Sequence, residues 1–262
     1  MNTPAAIPPY PPGRSLLAGK CVLVTAAAGT GIGFATAKRC LEEGARVCIS
    51  DVHERRLAEA LERLRAIAAD RVEGKPCDVT RESDVRALVA TAIEAMGRVD
   101  VLVNNAGLGG SVAVTEMTDE QWQKVLDVSL TSVFRLTRAV LPHMYANRAG
   151  AIVNNASVLG WRAQALQAHY AAAKAGVMAF TRCAAIEAAE YGVRINAVAP
   201  SIAMHAFLNR VTSDELLTEL RRREAFGRTA EVWEVANVIV FLASDLASYM
   251  TGEIVSVSSQ RA

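Results

Sequence analysis

Val22-Leu23-Val24-Thr25-Ala26-Ala27-Ala28-Gly29-Thr30-Gly31-Ile32-Gly33 is an apolar run that breaks into a glycine-rich turn, and Phe34 to Glu43 follows with helical spacing. A buried strand, a tight turn and a helix in that order make the first unit of a nucleotide-binding fold. Gly29, Gly31 and Gly33 permit a close approach of backbone to phosphate, and the N–H groups that open the following helix point at that anion. The next apolar run, Arg46 to Asp51, ends on an acidic residue about 20 positions after the central glycine. Asp51 can accept hydrogen bonds from adenosine ribose hydroxyls and repel a 2'-phosphate, which predicts NAD over NADP. The same carboxylate can instead cap the helix that starts near Glu54, and His53, Arg55 and Arg56 lie close enough to attract the extra phosphate.

Short apolar runs recur along the chain: Cys21 to Thr25, Arg46 to Asp51, Val101 to Asn104, Ala151 to Asn154, Val193 to Val198 and Glu253 to Val257 read as buried strands. Helical patterns separate them, as in Leu57, Leu61 and Leu64 with charged residues on the other face. Strands alternating with helices imply right-handed crossovers, so the expected fold is α/β: a single-domain, Rossmann-type, doubly wound parallel sheet of about seven strands with helices on both faces. Residues 1–14 hold five of the eight prolines and read as a flexible or extended arm, leaving 15–262 as the catalytic domain. Ligands of such a sheet gather outside the carboxyl ends of the strands. Cys77-Asp78-Val79 therefore brings Asp78 to the adenine edge, and Asn104-Asn105-Ala106-Gly107 brings backbone to the cofactor, although Asn105 and Gly107 can also form a simple turn.

Composition narrows the function. The 262 residues carry a net charge of +1 and are 52% hydrophobic, which excludes a disordered chain and argues against a dedicated nucleic-acid binder. Five widely spaced cysteines with no C-x-x-C pair indicate neither a disulfide framework nor a metal site, and fit a reducing cytoplasm. Apolar stretches stop well short of the roughly 18 to 20 residues that a membrane span needs, and no signal pattern opens the chain.

Chemistry enters at Tyr170-Ala171-Ala172-Ala173-Lys174, where four-residue spacing puts the phenol and the ammonium on one helical face. A phenol of reference pKa about 10 is a poor base, but a fixed positive charge nearby favours phenolate, so Tyr170 can exchange a proton with an alcohol or alkoxide. Ser157 follows the strand Ile152 to Asn155 at the same carboxyl edge, and its hydroxyl can orient a carbonyl beside Tyr170. Taken singly, Tyr170 and Lys174 fit a surface helix and Ser157 a turn.

Together these residues resemble the short-chain dehydrogenase/reductase superfamily, in family order and over nearly the whole chain after the proline arm: the glycine loop, Asp51, Cys77-Asp78-Val79, Asn104-Asn105-Ala106-Gly107, Ser157, Tyr170, Lys174 and Asn196-Ala197-Val198-Ala199-Pro200. The resemblance implies a nicotinamide cofactor, a dimer or tetramer packed through the helices carrying Ser129 and Tyr170, and Lys174 on the nicotinamide ribose. It also implies cofactor contacts from Thr25, Ile32, Val79, Ala106, Pro200 and Ile202.

Several positions depart from the family pattern. Ala26 stands where the first glycine is expected, and the phosphate loop is one residue longer than usual. Ser201 replaces a glycine, His205 a threonine, and Val257-Ser258-Ser259 the common D-G-G ending. Val128-Ser129-Leu130 takes the place of V-N-L, so the usual catalytic asparagine is missing. Its helix opens with the capping box Thr118-x-x-Gln121 and carries Trp122, Val125, Leu126, Val133 and Leu136 on one stripe with Ser129. Ser129 is expected to be buried and either to bind the water that the asparagine would hold or to serve only as a small core residue.

Substrate contacts are expected from residues near Ser157 to His169, with Trp161, Arg162, Gln164 and Gln167, and from Ile202 to Phe226, with His205, Phe207 and Leu208. This mixture suits a bulky apolar alcohol or ketone with an anionic handle, such as a coenzyme A thioester, and Arg221 to Arg223 can meet its phosphates or form a solvated face. The glycine loop, Asn154-Asn155-Ala156-Ser157-Val158-Leu159-Gly160-Trp161-Arg162-Ala163-Gln164 and the ending Ser256 to Ala262 are similar to an actinobacterial reductase group of steroid catabolism. That group implies oxidation of a ring hydroxyl on a hydroxy-oxo-hexahydroindene carboxyl-CoA with NAD. The alternatives are a 3-oxoacyl thioester reductase using NADPH and a catalytically silent nucleotide-binding regulator.

Overall fold

The computed structural model describes residues 4–204 and 214–260. Seven strands form one parallel sheet: β1 (Cys21–Val24), β2 (Arg46–Asp51), β3 (Val72–Pro76), β4 (Val101–Asn104), β5 (Gly150–Asn155), β6 (Val193–Pro200) and β9 (Ile254–Val257). Their order is β3-β2-β1-β4-β5-β6-β9, so the direction of winding reverses between β1 and β4. That reversal opens a crevice above the carboxyl ends of these two strands. The short strands β7 (Ala203–Met204) and β8 (Ala230–Glu231) pair separately beside it.

Strand side chains alternate between two apolar clusters, because successive residues of a strand point to opposite faces. Val22 and Val24, Val47 and Ile49, Val101 and Val103 pack on one face against α1 (Ile32–Glu42), α2 (Glu54–Arg65) and α8 (Val232–Ala243). Leu23, Cys48, Leu102 and Ile152 pack on the other against α3 (Glu82–Met96), α5 (Ser132–Asn147) and α6 (Ala168–Ala189). Both faces of the sheet are thus covered, as the uninterrupted apolar runs require. The expected run of six strands omits β3, whose Val-Glu-Gly-Lys-Pro pattern buries only Val72. As an edge strand it pairs on one side only, with β2, and Pro76 at its end removes no needed ladder bond.

The remaining helices are α4 (Asp119–Leu126) and α7 (Asp214–Arg223). Thr118 and Gln121 form the expected capping box on α4. Trp122, expected on the buried stripe, is 39% exposed. A single π turn at Asp127–Thr131 joins α4 to α5 and adds a residue to the helical repeat, which shifts the phase so that Val125 stays buried while Trp122 turns outward. Residues 4–14 carry no helix or strand and run across α1 and α8. Tyr10 meets Trp233 edge to face and donates to Glu42, and Arg39 donates to the Pro11 carbonyl at 3.0 Å.

Leu102 sits on the central strand β4 with no exposed surface. Truncation to alanine leaves a cavity under α3 and α5 that the flanking strands cannot close, and is expected to cost about 2–5 kcal/mol in urea unfolding with the m-value unchanged.

Candidate active site

The glycine loop leaves β1 through Ala26, which adopts φ +50°, a conformation that favours glycine and costs an alanine about 1 kcal/mol or more. The family's usual glycine at this position has its physical reason in that angle. Gly33 is needed for a different reason: a Cβ there would fall 2.6 Å from the Ala26 carbonyl oxygen and would overlap the Asn105 amide. At Gly29 and Gly31 a Cβ would meet nothing within 4 Å. Open space above these two glycines adjoins the start of α1, which has no side-chain cap and no acidic residue in its first turn. Free N–H groups and no competing carboxylate fit a diphosphate at this point. Arg63 of α2, which sequence reasoning missed, lies over Phe34 and donates to the Gly29 carbonyl at 3.1 Å, holding the outer side of the loop.

Asp51 closes β2 beside this loop. Burial pushes its carboxyl above the usual aspartate range, opposed by Arg56 and by backbone N–H groups of Ala28 and Val52. Its Oδ1 accepts from His53 N–H at 3.0 Å and lies 3.6 Å from Arg56 Nη2. Asp78 follows β3, with its Oδ1 already accepting from the Thr80 N–H and hydroxyl at 3.0 and 2.7 Å, while Val79 is buried.

A polar chain crosses the strand ends from the loop toward Lys174. Thr25 Oγ1 accepts from the N–H groups of Asn105 and Ala106 at 3.0 and 3.3 Å. Asn105 donates its amide to the carbonyls of Thr25 and Ala26 at 3.1 and 3.0 Å, and its Oδ1 accepts from Asn155 at 3.0 Å. The Asn155 carbonyl in turn accepts from Lys174 Nζ at 2.5 Å. One residue back on each strand, Asn104 donates to Asn154 Oδ1 at 2.9 Å, and Asn154 donates to Thr181 at 2.9 Å. Asn154 and Asn155 had no assigned role in the sequence. The signal was available in two Asn-Asn doublets, which lie in register on adjacent strands, Asn104 opposite Asn154.

Ser157, Tyr170 and Lys174 come together at the end of β5. Ser157 caps the short 3-10 turn Val158–Gly160 by accepting from Leu159 N–H at 3.2 Å, and its hydroxyl lies close enough to Tyr170 to favour the phenolate. Lys174 Nζ lies 5.6 Å from the centre of the Tyr170 ring. The expected lowering of the tyrosine pKa is not what results: burial pushes Tyr170 above its ordinary value, and Ser157 only partly offsets this. Burial also brings Lys174 down to about 8. Both groups are driven toward their neutral forms because desolvation outweighs their mutual attraction across this separation.

Ser129 is fully buried in the π turn, as expected. Its hydroxyl accepts from Leu108 N–H and donates to the Leu108 carbonyl, each at 2.9 Å. Leu108 adjoins Gly107, where a Cβ would come 3.4 Å from Lys174 Nζ. Pro200 ends β6 and Ile202 follows it, its carbonyl accepting from Ala230 N–H at 2.9 Å. His205, Phe207 and Leu208 lie outside the described residues. No cluster of metal-binding side chains occurs among the described residues. No helix among them is long and apolar enough to cross a membrane.

Comparison with known proteins agrees with this arrangement. A family described as enoyl-(acyl carrier protein) reductase matches residues 26–259. The chain is 65% identical over 249 residues, 95% of each chain, to (5R,7aS)-5-hydroxy-7a-methyl-1-oxo-2,3,5,6,7,7a-hexahydro-1H-indene-carboxyl-CoA reductase of Mycobacterium tuberculosis. It is 37% identical over 241 residues to 3-oxoacyl-(acyl-carrier-protein) reductase of Thermotoga maritima, covering 92% of this chain and 97% of that one. A crystal structure of a short chain dehydrogenase from Mycobacterium smegmatis superposes with a TM-score of 0.88 at 59% identity, covering 98% of this chain and 99% of the other. The reversed sheet, the open glycine loop and the Ser157, Tyr170 and Lys174 cluster thus share one explanation: the chain belongs to the short-chain dehydrogenase/reductase superfamily of NAD(P)-dependent oxidoreductases.

Proposed function

We propose that the protein interconverts a secondary alcohol and a ketone on a bulky ring substrate carried as a coenzyme A thioester, of the kind formed in steroid ring degradation, with NAD as the preferred nucleotide. The observation that carries this reading is the Ser157, Tyr170 and Lys174 cluster in a chain 65% identical to an indene-carboxyl-CoA reductase. A bound nicotinamide would supply or accept the hydride. The chain's own residues handle the oxygen and its proton. Ser157 Oγ holds the substrate oxygen, and the Tyr170 hydroxyl gives its proton to a ketone or takes it from an alcohol. Because burial keeps Tyr170 protonated in the resting site, this form is ready for reduction. Lys174, whose pKa near 8 sits close to neutrality, can restore that proton. Thr25, Gly29, Gly31, Ile32, Gly33, Asp51, Asp78, Val79, Asn105, Ala106, Gly107, Pro200 and Ile202 would surround the nucleotide along the carboxyl edge.

Asp51 supports a preference for NAD, since its carboxylate at the end of β2 would meet the adenosine ribose and would repel a 2'-phosphate. Ser129 is better suited to positioning than to carrying a proton. Its one hydroxyl proton is committed to the Leu108 carbonyl, so it clamps the Gly107-Leu108 peptide against Lys174 and leaves a single lone pair for a water. Exposed Phe134 on α5, edge-on to Phe180 of α6, together with exposed Ile186, supports association into a dimer or tetramer through these helices. The absence of any disulfide among the five cysteines supports a cytoplasmic setting.

Three measurements test this reading. With ring-alcohol thioesters and NAD, Tyr170→Phe is expected to lower kcat about a thousandfold while nucleotide binding stays intact. Unchanged turnover would remove Tyr170 from the chemistry, and no turnover of any thioester by the wild type would remove the substrate assignment. Asp51→Ala frees Arg56 and is expected to shift the NAD-to-NADP ratio of kcat/KM toward NADP by about tenfold or more. A ratio that stays put would place discrimination elsewhere. Ser129→Ala releases Leu108 and hydrates Lys174, so kcat should fall about tenfold and the Lys174 limb of the pH profile should move up from about 8 toward the ordinary lysine value. An unaltered rate and limb would make Ser129 a core residue only.

A further inference from the structure

Glu224 immediately follows α7 and, although a carboxylate, is only 3% exposed. Its Oε2 accepts from the Ser259 N–H at 3.1 Å and the Ser259 hydroxyl at 2.8 Å, and among the described residues its Oε1 has no partner. A buried carboxylate with incomplete hydrogen bonding is costly, and stability alone would be served as well by an apolar residue. What the carboxylate adds is direction: it pins one particular peptide. The Ala225 N–H donates to the Ser259 carbonyl at 2.5 Å, so Ser259 is gripped on both sides, and Glu224 and Gln260 form an antiparallel bridge.

The pinned tail also reaches the catalytic loop. Gln260 Oε1 accepts from Arg162 Nη1. Arg162 lies one turn beyond Ser157, its N–H donating to the Val158 carbonyl at 3.0 Å. The tail emerges from β9, whose Val257 stands opposite Pro200 at the end of β6. Ala5 N–H donates to the Phe226 carbonyl at 2.8 Å, and Arg228 makes paired bonds of 2.7 Å to Glu234 at the start of α8. Residues 224–228 are therefore held by the tail, the N-terminal arm and α8. The tail after β9 and the turn after β5 lie on the β5-β6-β9 half of the sheet, across the winding reversal from the glycine loop. In an open α/β sheet a dinucleotide lies across the crevice at the reversal, and here its phosphates would sit at the glycine loop, away from the tail and the turn after Ser157.

We propose that Glu224, Ser259, Gln260 and Arg162 are positioning residues that lock the end of α7 to the turn after Ser157, so that the C-terminal tail sets affinity for the thioester substrate but not for the nucleotide. This proposal rests on the thioester reading above. The notable replacement of the common D-G-G ending by Val257-Ser258-Ser259 acquires a reason: glycines cannot supply the hydroxyl that Glu224 holds.

The test uses the full-length enzyme and three variants, Gln260→Ala, Glu224→Ala and Glu224→Gln. Steady-state kinetics with a ring-alcohol coenzyme A thioester are combined with hydrogen exchange of the enzyme without substrate. Gln260→Ala and Glu224→Ala should raise KM for the thioester about tenfold, with KM for the nucleotide unchanged within about twofold, while Glu224→Gln, which keeps an acceptor for Ser259, stays near wild type. Exchange in Gln260→Ala should accelerate both at residues 158–163 and at 217–227, but not in the glycine loop. Gln260 is only half-buried, so this variant decides the matter even if Glu224→Ala does not fold. Faster exchange confined to the tail, or a nucleotide KM that rises in parallel, would overturn the proposal. If the wild type turns over no thioester, the substrate reading fails by itself and the exchange pattern still decides the latch.

Discussion

The chain of polar contacts from Thr25 through Asn105 and Asn155 to Lys174 is the constraint on which the site depends. Parallel strands end with peptide groups that no further ladder satisfies, and at β1, β4 and β5 these groups are buried under the crevice. Leaving one such group unpaired costs about 1–3 kcal/mol, more than a single made bond returns. Asn105 meets this demand with a side chain that donates and accepts at once, and Asn155 donates from its side chain while its carbonyl accepts from Lys174. In doing so they hold three strand ends at one level, which makes the glycine loop and the catalytic lysine parts of a single rigid edge. A second layer, Asn104 to Asn154 to Thr181, fixes the same strands to α6 and so sets the height of Tyr170 and Lys174 above the sheet.

Burial, not charge, then governs the acid–base groups. Tyr170 and Lys174 share a helical face, but an ammonium 5.6 Å from the ring centre does not outweigh the loss of water around the phenol. Each group is pushed toward its neutral form, and the pair is balanced with tyrosine holding its proton. Lys174 keeps one strong bond, to the Asn155 carbonyl, and this fixes its ammonium in place at little electrostatic gain.

The fold was legible because its core strands are apolar on both faces, a pattern that hardly any other architecture produces. β3 escaped because an edge strand needs only one buried residue, and Val72 alone carries no periodicity. The π turn at Asp127–Thr131 was invisible for a related reason: one extra residue shifts the helical phase without altering composition, and Trp122 was assigned to the core by extrapolating an unbroken repeat. Ser157, Tyr170, Lys174 and Asp51 were readable as side chains of known chemistry at strand and helix ends. Asn155 was not, because what it offers Lys174 is its carbonyl, and no side-chain pattern marks a backbone acceptor. The pKa of Tyr170 was misjudged because spacing reports that a charge is near and says nothing of how much water has been removed.

The two halves of the crevice are fixed by different means. On the nucleotide side the anchors are backbone geometry: the left-handed Ala26, the absent side chains of Gly29 and Gly31, and the tight approach at Gly33. Such features tolerate little change, since any added atom meets main chain or occupies the ligand's space. On the other half the anchors are side chains, with Glu224, Ser259, Gln260 and Arg162 joining the tail to the turn after Ser157. Side-chain anchors can be exchanged in sets while the strands beneath them stay put. The two halves meet at β5 and where Gly160 packs against Ala175 and Met178 of α6, so a change beside Ser157 can reach the edge that orders Lys174 only through these tight contacts.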